Sequence, residues 1–170
     1  MARHTPVAPD LDLARDVVAQ VVDPELPMVT LEDLGVVRGV ELEGDRVVVT
    51  LTPTYVACPA TATMKADVRV ALARAGFEDV EVRTALAPAW STDWITERGR
   101  RALAAHGIVP PGPVASGPVA LTLTHRPEPP RCPQCDSPDT REVSRFGASP
   151  CTSFHVCSAC GEPFDKVKEL

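Results

Sequence analysis

The sequence predicts an α+β fold, in which a small two-layer α/β domain precedes a C-terminal module organised by four cysteines. Over the first half of the chain, hydrophobic residues recur at helical spacing, then at alternate positions, in the order helix-strand-strand-helix-strand. Two Cys-x-x-Cys pairs stand near the end of the chain. We therefore expect residues 8–108 to form the α/β domain, residues 109–130 a proline-rich linker and residues 131–170 the cysteine module.

The first element is an amphipathic helix. Leu11, Ala14, Val18 and Val21 recur at helical spacing, and Asp10 precedes them at the position of an N-cap. The helix is expected to end at Asp23-Pro24, because proline lacks an amide donor and disfavours helical backbone at the residue before it.

A β-hairpin is predicted next, with strands over 36–42 and 46–52 around the turn Glu43-Gly44-Asp45. A second helix follows, with apolar residues at helical spacing from Met64 to Ala75 and Gly76 as its C-cap. Val80, Val82 and Thr84 then predict a third strand.

Both tryptophans, Trp90 and Trp94, precede a further helix that is expected to reach Gly107. We interpret them as packing this helix against the sheet rather than stacking on a ligand. The following segment, from Val109 to Arg131, holds seven prolines, and only the run 119–124 within it is strand-like.

The strongest chemical signal is the pair Cys132-Pro-Gln-Cys135 and Cys157-Ser-Ala-Cys160, separated by 21 residues. Each Cys-x-x-Cys can present two thiolates to one tetrahedral ion, and Gly161 can adopt the positive φ that turns backbone amides toward a sulfur. Two disulfides or four buried thiols are the alternatives. We predict a structural zinc ion in a zinc-ribbon-like module, because such a small domain needs a cross-link.

Two neighbours of this site are also candidates for roles in it. His155 is a rival fourth ligand or a donor to a ligand, and Cys151 is expected to be a spare thiol close to the four cysteines. An iron–sulfur cluster that includes Cys151 is the less favoured alternative to zinc.

Cys58 is the second chemical feature. Pro59 follows it and is a residue typical of the first turn of a helix, so the sulfur is expected at a helix N-terminus, where the helix dipole lowers a thiol pKa. The alternative is a small buried hydrophobic residue. Asp23 and Glu25 lie in another loop and join Cys58 in a site only if the fold brings the two loops together; otherwise they cap a turn or pair with arginine.

The composition narrows the classes of partner. The net charge of −6 argues against nucleic acid, which proteins hold largely through Lys and Arg. No stretch approaches the length of a membrane span, and the N-terminus is not followed by an uncharged apolar run. A cytoplasmic protein is therefore expected, in which the reducing environment favours metal ligation over disulfides.

Three motifs stand in the first half of the chain, at Asp23-Pro24-Glu25-Leu26-Pro27, 31–37 and 51–60. They resemble the MIP-type iron–sulfur assembly domain, and this resemblance covers roughly residues 8–86. Further features are 89–95, Gly99-Arg100, Cys151, Cys157, Cys160 and Glu162-Pro163-Phe164-Asp165. With these features, the chain is similar over nearly its whole length to accessory subunits encoded with phenylacetyl-CoA epoxidase.

The resemblance implies a maturation factor rather than an enzyme, which delivers iron or an iron–sulfur cluster to the epoxidase complex in aerobic phenylacetate degradation. It implies that Cys58 is the transfer thiol, with Asp23 and Glu25 as its acidic motif, and that the four ribbon cysteines hold the structural metal. The implied partners are the oxygenase or reductase subunits of the epoxidase and iron–sulfur assembly proteins. The chain departs from some relatives in having no cysteine after Phe164-Asp165, which leaves a four-ligand site intact.

A thiol-dependent enzyme that uses Cys58 and a non-catalytic scaffold are the two alternatives. None of the histidines His4, His106, His125 and His155 is close to Cys58 in sequence, so a catalytic base would have to arrive through folding.

Overall fold

The computed structural model describes residues 10–55, 58–112 and 129–169. Its N-terminal part carries three helices and a three-stranded sheet, and its C-terminal part a second three-stranded sheet. The elements are α1 (Leu11–Ala19), β1 (Val37–Glu43), β2 (Arg46–Leu51), α2 (Thr61–Arg74), β3 (Val80–Thr84), α3 (Glu97–Ala105), β4 (Thr140–Ser144), β5 (Thr152–Cys157) and β6 (Pro163–Val167).

The predicted order of helix, strand, strand, helix and strand is confirmed. β1 and β2 pair antiparallel through a tight turn at Gly44, and β3 pairs parallel with β2 after the α2 crossover. Both α1 and α2 lie against this sheet, so that the domain has two layers. The core between the layers is formed by buried side chains of α1, β2 and α2: Ala14, Val18, Val47, Val49, Leu51, Met64, Val68 and Leu72.

The first helix ends earlier than predicted. Asp10 caps it as expected, by accepting hydrogen bonds from the amides of Asp12 and Leu13. The helix stops at Ala19, because the backbone around Val22 pairs antiparallel with the backbone around Thr30. Val21 is still buried, but it belongs to this pair of extended segments rather than to the helix.

The tryptophan segment packs on the loop before β1 and on Arg38 of β1. The Trp90 indole nitrogen donates a 2.8 Å hydrogen bond to the Leu34 carbonyl, and Trp90 is buried. Trp94 lies in a 3₁₀ turn and stacks under the Arg38 guanidinium at 3.7 Å. These contacts hold the segment that precedes α3 against the loop that precedes β1.

The C-terminal sheet has the antiparallel order β4-β5-β6. It is joined to the N-terminal domain by Val109, whose amide donates to the Asp165 carbonyl at 2.8 Å and whose carbonyl accepts from the Val167 amide at 3.0 Å. The beginning of the predicted linker therefore pairs with β6. The strand-like run 119–124 lies outside the described residues, and the three-part division of the chain stays a prediction.

Within the described residues, no helix has both the length and the apolar character that a membrane span requires.

Candidate functional site

Asp23 is fixed at the start of the loop that precedes β1. Its amide donates to the Val29 carbonyl at 2.9 Å, and its Oδ1 accepts hydrogen bonds of 2.8 Å from the amides of Glu25 and Leu26. The residue is only 3% exposed. The side chain therefore shapes the loop as well as contributing a carboxylate.

The two carboxylates of this loop are held in an unfavourable environment for charge. Burial raises the pKa of Asp23, although its two amide donors oppose the shift. Burial also raises the pKa of the half-buried Glu25, and the negative charge of Asp23 adds to the effect. In the described part of the chain neither carboxylate forms an ion pair with a basic side chain.

Cys58 lies before α2 rather than in its first turn. Its amide donates to the Tyr55 carbonyl at 2.9 Å, and its carbonyl accepts from the Thr61 hydroxyl at 2.9 Å. The side chain is half-buried and packs on the N-terminal core. α2 begins at Thr61, so Cys58 lies two residues before the N-cap Ala60, and its sulfur interacts with the Ala60 amide at the start of the helix.

The predicted low pKa of Cys58 is wrong for the metal-free thiol. Burial raises this pKa, and the charges of Glu25 and Asp23 raise it further. The Ala60 amide and the Thr61 hydroxyl, which donates to the Cys58 carbonyl, lie near the sulfur and oppose the rise in its pKa without reversing it. The charges of Asp23 and Glu25 therefore act on the Cys58 sulfur, while a site formed by the three residues stays a prediction.

Cys151 also interacts electrostatically with these residues, which the sequence did not predict. It precedes β5, accepts a 2.9 Å hydrogen bond at its carbonyl from the Lys168 amide, and packs on the N-terminal core. Its sulfur lies 2.8 Å from the Ser149 hydroxyl oxygen. Burial raises the pKa of Cys151, with contributions from the charges of Asp23, Glu25 and Cys58.

The expectation that Cys151 lies near the four ribbon cysteines is therefore wrong. β5 runs as an extended strand from Thr152 to Cys157. At a rise of about 3.3 Å per residue, the strand separates Cys151 from Cys157 by roughly 20 Å. The strand-like alternation of residues 152–157 was the signal in the sequence that could have excluded this placement.

The four remaining cysteines form one cluster. The sulfurs of Cys132 and Cys160 are 3.7 Å apart, those of Cys135 and Cys157 are 3.6 Å apart, and all four lie within 4.8 Å of one another. Thiolates bound at about 2.3 Å to a tetrahedral zinc ion stand about 3.8 Å apart, so the cluster fits that ion. A disulfide would need sulfurs at about 2.05 Å, and all six cysteines are free.

The two Cys-x-x-Cys turns share one backbone geometry. Gly161 adopts a φ of +80°, as predicted, and its amide donates to the Cys157 carbonyl at 3.0 Å. Asp136 holds the equivalent position after Cys135, with a φ of +57° and an amide that donates to the Cys132 carbonyl at 2.9 Å. The amides of Cys160 and Ala159 lower the pKa of Cys157 to about 7, which favours the thiolate that zinc requires.

His155 does not take part in the cysteine cluster. Its ring stacks on Phe164 with the centroids 5.5 Å apart, and its Nε2 shares a 2.9 Å hydrogen bond with the Ser153 hydroxyl. Within the described residues Nδ1 is buried without a hydrogen-bond partner. The expectation of His155 as a fourth ligand is therefore wrong, because four cysteines already complete the tetrahedron.

Comparison with known proteins identifies both parts of the chain. A family model described as an iron-sulfur cluster assembly protein matches residues 13–84, and a model described as the PaaD zinc beta ribbon domain matches residues 116–168. A crystal structure of domain of unknown function DUF59 from Bacillus anthracis superposes with a TM-score of 0.51 at 28% identity, over 55% of this chain and 90% of that one. The protein thus joins an assembly-type α/β domain to a zinc ribbon, which confirms the predicted fold and the zinc site.

A relative that matches nearly the whole chain shows which family the protein belongs to. A protein of Escherichia coli (strain K12), named as one of the subunits of 1,2-phenylacetyl-CoA epoxidase, is 41% identical over 150 residues, which are 88% of this chain and 87% of that one. The chain belongs to the PaaD family, as its sequence motifs predicted. A Mycobacterium tuberculosis protein associated with Fe–S complex assembly and repair is 34% identical over 63% of this chain and 94% of its own, with a TM-score of 0.35.

Proposed function

We propose that this protein is an accessory factor that delivers iron or an iron–sulfur cluster to a phenylacetyl-CoA epoxidase complex, and that it is not itself an enzyme. Its clients would be the oxygenase or reductase subunits of that complex, with iron–sulfur assembly proteins as the source of cargo. We place the protein in the cytoplasm, where its six free cysteines would stay reduced.

The grouping of the Cys58 thiol with the Asp23 and Glu25 carboxylates carries this proposal. All three lie within the segment matched by the iron–sulfur cluster assembly family, in a chain whose nearly full-length relative is named as an epoxidase component. A thiolate is a soft ligand that iron and iron–sulfur species accept, and carboxylates complete such ligand sets for iron. A half-buried thiol among few fixed ligands suits cargo that must be released again.

The zinc ribbon has a different role in this proposal. Four thiolates fill the coordination sphere of a zinc ion, so the ion supplies a structural cross-link and offers no open position to a substrate. Cys132, Cys135, Cys157 and Cys160 would hold that ion and thereby fix the strands β4, β5 and β6.

The electrostatics disfavour a thiol enzyme. A nucleophilic cysteine needs a lowered pKa or an adjacent base, whereas burial and the neighbouring carboxylates raise the pKa of Cys58. Of the described histidines, His106 contacts the Ala102 carbonyl and His155 contacts Ser153. Neither forms a hydrogen bond with Cys58.

Iron and labile-sulfide content of the epoxidase subunits tests the proposal, when they are purified from matched strains with and without this protein. The deletion strain should make the subunits but leave one of them short of iron, and Cys58→Ser should reproduce the deletion, since serine is a poor ligand for soft iron species. Ala62→Ser is the matched control, because it adds a hydroxyl to an exposed position of the same helix start.

Variants of the two acidic residues test the same proposal, because they should reduce client loading only in part. Asp23→Asn keeps the side-chain oxygen that accepts the two loop amides, so it removes charge without removing the loop contacts. We expect this variant and Glu25→Gln to lower client loading partially, while Glu32→Gln at an exposed position leaves it unchanged. If every epoxidase subunit in the deletion strain carries its full iron content but epoxidase activity is lost, the protein acts as a non-catalytic scaffold and not as a delivery factor.

A further inference from the structure

A cleft of about 1000 Å³ lies between the zinc ribbon and the N-terminal domain. Glu142 of β4 is paired with His155 of β5. Ser153, two residues before His155, is paired with Lys166 of β6. All four residues line the cleft, and side chains of paired residues lie on the same face of a sheet. One face of the ribbon sheet therefore forms the floor of the cleft, which Tyr55 lines from the N-terminal domain.

Positive charge predominates in this cleft, although the protein as a whole is acidic. The chain has a net charge of −6. The lining of the cleft includes two carboxylates, those of Glu142 and Glu169, and a larger number of basic side chains, which are Arg141, Arg145, Lys166 and Lys168. We call it the basic cleft. It attracts negatively charged groups to one part of a surface whose net charge repels them.

The two arginines of the basic cleft keep their charge free for a partner. Lys166 pairs with Glu169 at 2.9 Å. By contrast, Arg141 and Arg145 are exposed and form no ion pair with any residue that the structure describes. Elsewhere in the chain an exposed arginine binds carboxylates, as Arg83 does. Because a guanidinium presents its donors in a planar fork that matches a carboxylate, acidic side chains are the groups that these two arginines are suited to bind.

Two exposed aromatic side chains border the same cleft. Phe146 is 64% exposed and Tyr55 is 49% exposed. The Lys168 Nζ lies 4.3 Å from the centroid of the Phe146 ring, so charge and aromatic surface occur together. Arginine and aromatic residues are enriched in protein–protein interfaces relative to the rest of the surface. This combination favours a protein segment as the ligand, whereas a nucleic acid would be repelled by the net negative charge of the chain.

The basic cleft is adjacent to the loop that carries Cys58. Tyr55 lines the cleft, and its carbonyl accepts a 2.9 Å hydrogen bond from the Cys58 amide. On the ribbon side, the Lys168 Nζ donates to the carbonyl of Pro150, another residue of the lining, at 2.6 Å. A protein segment bound in the cleft would therefore contact both parts of the chain beside the proposed transfer thiol.

We infer that the basic cleft is the docking site for an acidic segment of the client subunit, whose carboxylates bind Arg141 and Arg145 and whose aromatic or aliphatic side chain packs on Phe146. This inference rests on the proposed function and names the chemistry by which the client is recognised. The cleft holds the client while the cargo leaves the loop that carries Cys58, and no covalent step takes place in the cleft itself.

Binding to the epoxidase complex tests the inference. The complex is purified from a strain that lacks this protein, so that unloaded clients are present, and the zinc-loaded full-length protein is titrated onto it. We expect Arg141→Glu and Arg145→Glu each to raise the Kd at least about tenfold, because a carboxylate in place of a guanidinium repels an acidic segment. The zinc content of both variants should equal that of the unmodified protein, since neither arginine belongs to the cysteine cluster.

Arg74→Glu is the matched control for these charge reversals. Arg74 is exposed at the end of α2 and forms no ion pair in the part of the chain that the structure describes. Because α2 spans 14 residues, Arg74 lies about 20 Å from the start of the helix. The substitution makes the same change in net charge and should leave the Kd within about twofold of the unmodified value, since salt screens charges at that distance.

The apolar part of the contact has its own variant and control. Phe146→Ala should raise the Kd about tenfold, as expected for an aromatic residue at the centre of an interface. Leu86→Ala is the control, because Leu86 is 51% exposed and does not line the cleft. Raising the salt concentration from about 0.05 M to about 0.5 M should weaken the binding of the unmodified protein more than that of a variant with both arginine substitutions.

Three results would overturn the inference. The first is a complex that binds the variant with both arginine substitutions as tightly as the unmodified protein, and the second is a complex that does not bind the unmodified protein. The third is a dimer of the unmodified protein that this variant fails to form, measured by sedimentation velocity, which would assign the cleft to a second copy of this chain.

Client loading in cells separates this inference from the proposed function. Loss of loading with Cys58→Ser and with the double arginine variant supports both. Loss with Cys58→Ser and full loading with the double arginine variant leaves the proposed function standing and rejects the docking site. Full loading in the deletion strain rejects the proposed function itself.

Discussion

The Cys58 sulfur is subject to two opposing influences. Burial and the charges of Glu25 and Asp23 favour the thiol, while the nearby Ala60 amide and Thr61 hydroxyl favour the thiolate. The first influence is the larger of the two. The thiol is therefore protonated at neutral pH. A protonated thiol is protected from oxidation and alkylation, which suits a carrier between rounds of delivery.

Alkylation rates test this balance. Cys58 in zinc-loaded protein should react more slowly than a free cysteine at pH 7, because its raised pKa lowers the thiolate fraction. Glu25→Gln and Asp23→Asn should each increase the rate, by up to about tenfold for a shift of one pKa unit. The measurement is the labelling rate of the Cys58 peptide as a function of pH.

Glu32→Gln is the control for these variants, because Glu32 is exposed and is not among the groups that shift the Cys58 pKa. Faster labelling of the unmodified Cys58 than of a free cysteine at pH 7 would restore the helix-start interpretation of this thiol.

The sequence predicted roles for Asp23, Glu25 and Cys58, and it gave no sign that Cys151 interacts electrostatically with them. Asp23, Glu25 and Cys58 stand in motifs with strong local signals, namely two prolines around Glu25 and one after Cys58. The position of Cys151 depends on the docking of β6 through Val167, a long-range contact that no local pattern encodes. The electrostatics of Cys58 were also beyond the sequence, since they depend on which charges the fold brings near the sulfur.

Asp33 connects two elements of the N-terminal domain. The Thr96 hydroxyl donates to its Oδ1 at 2.6 Å, and the Arg98 Nε donates to both carboxylate oxygens at 2.9 and 3.0 Å. The Thr96 amide donates to its backbone carbonyl at 2.9 Å. Gly99 fits beneath this group, since a Cβ there would lie 2.8 Å from the Asp33 carbonyl oxygen. The carboxylate therefore fixes the start of α3 against the loop before β1.

The stability of the protein should depend on pH through this carboxylate. Burial acts to raise the pKa of Asp33, but hydrogen bonds from Arg98 and Thr96 outweigh it and hold the pKa below the ordinary value of 3.8. The stabilisation is therefore fully present above that value and is lost as the pH falls through the lower folded-state pKa. Asp33→Asn should cost about 1–3 kcal/mol at pH 7 and less near pH 3.

Denaturant unfolding at the two pH values measures this effect. Asp16→Asn on the exposed face of α1 serves as the control and should leave the unfolding free energy nearly unchanged. An equal cost of Asp33→Asn at both pH values would show that the contribution of Asp33 does not depend on its charge.

Element boundaries show which interactions the sequence underestimated. The periodicity of α1 continued through Val21, but backbone pairing of Val22 with Thr30 ends the helix at Ala19. Pro59 suggested a helix from Cys58, whereas the first hydrogen-bonded turns place the start of α2 at Thr61. Strands β1 to β3 matched their predicted ranges closely, although burial does not alternate along β2, where Val47, Val48 and Val49 are all buried.

At the scale of the whole molecule, the ribbon and the α/β domain share a core. Val167 of β6 is buried among residues of the N-terminal domain, and Val109 after α3 pairs with Lys166 of β6. A proline-rich stretch in the sequence suggested two independent modules, because composition reports flexibility of the chain and not the contacts of the residues that flank it. The zinc site therefore supports the ribbon directly and the N-terminal domain indirectly.

Loss of zinc should accordingly have a strong local effect and a weaker remote one. Cys132→Ser should remove about one zinc ion per chain and unfold β4, β5 and β6, because zinc binding and folding are coupled in such modules. The N-terminal domain should stay folded on its own core but lose about 1.5–3 kcal/mol, the contribution of burying a side chain such as Val167. Metal analysis combined with amide hydrogen exchange resolves the two parts. If amide exchange rates in β2 and α2 are the same in Cys132→Ser as in the unmodified protein, the ribbon does not contribute to the stability of the N-terminal domain. If these rates become as fast as those of β4, β5 and β6, the N-terminal domain does not stay folded without the ribbon.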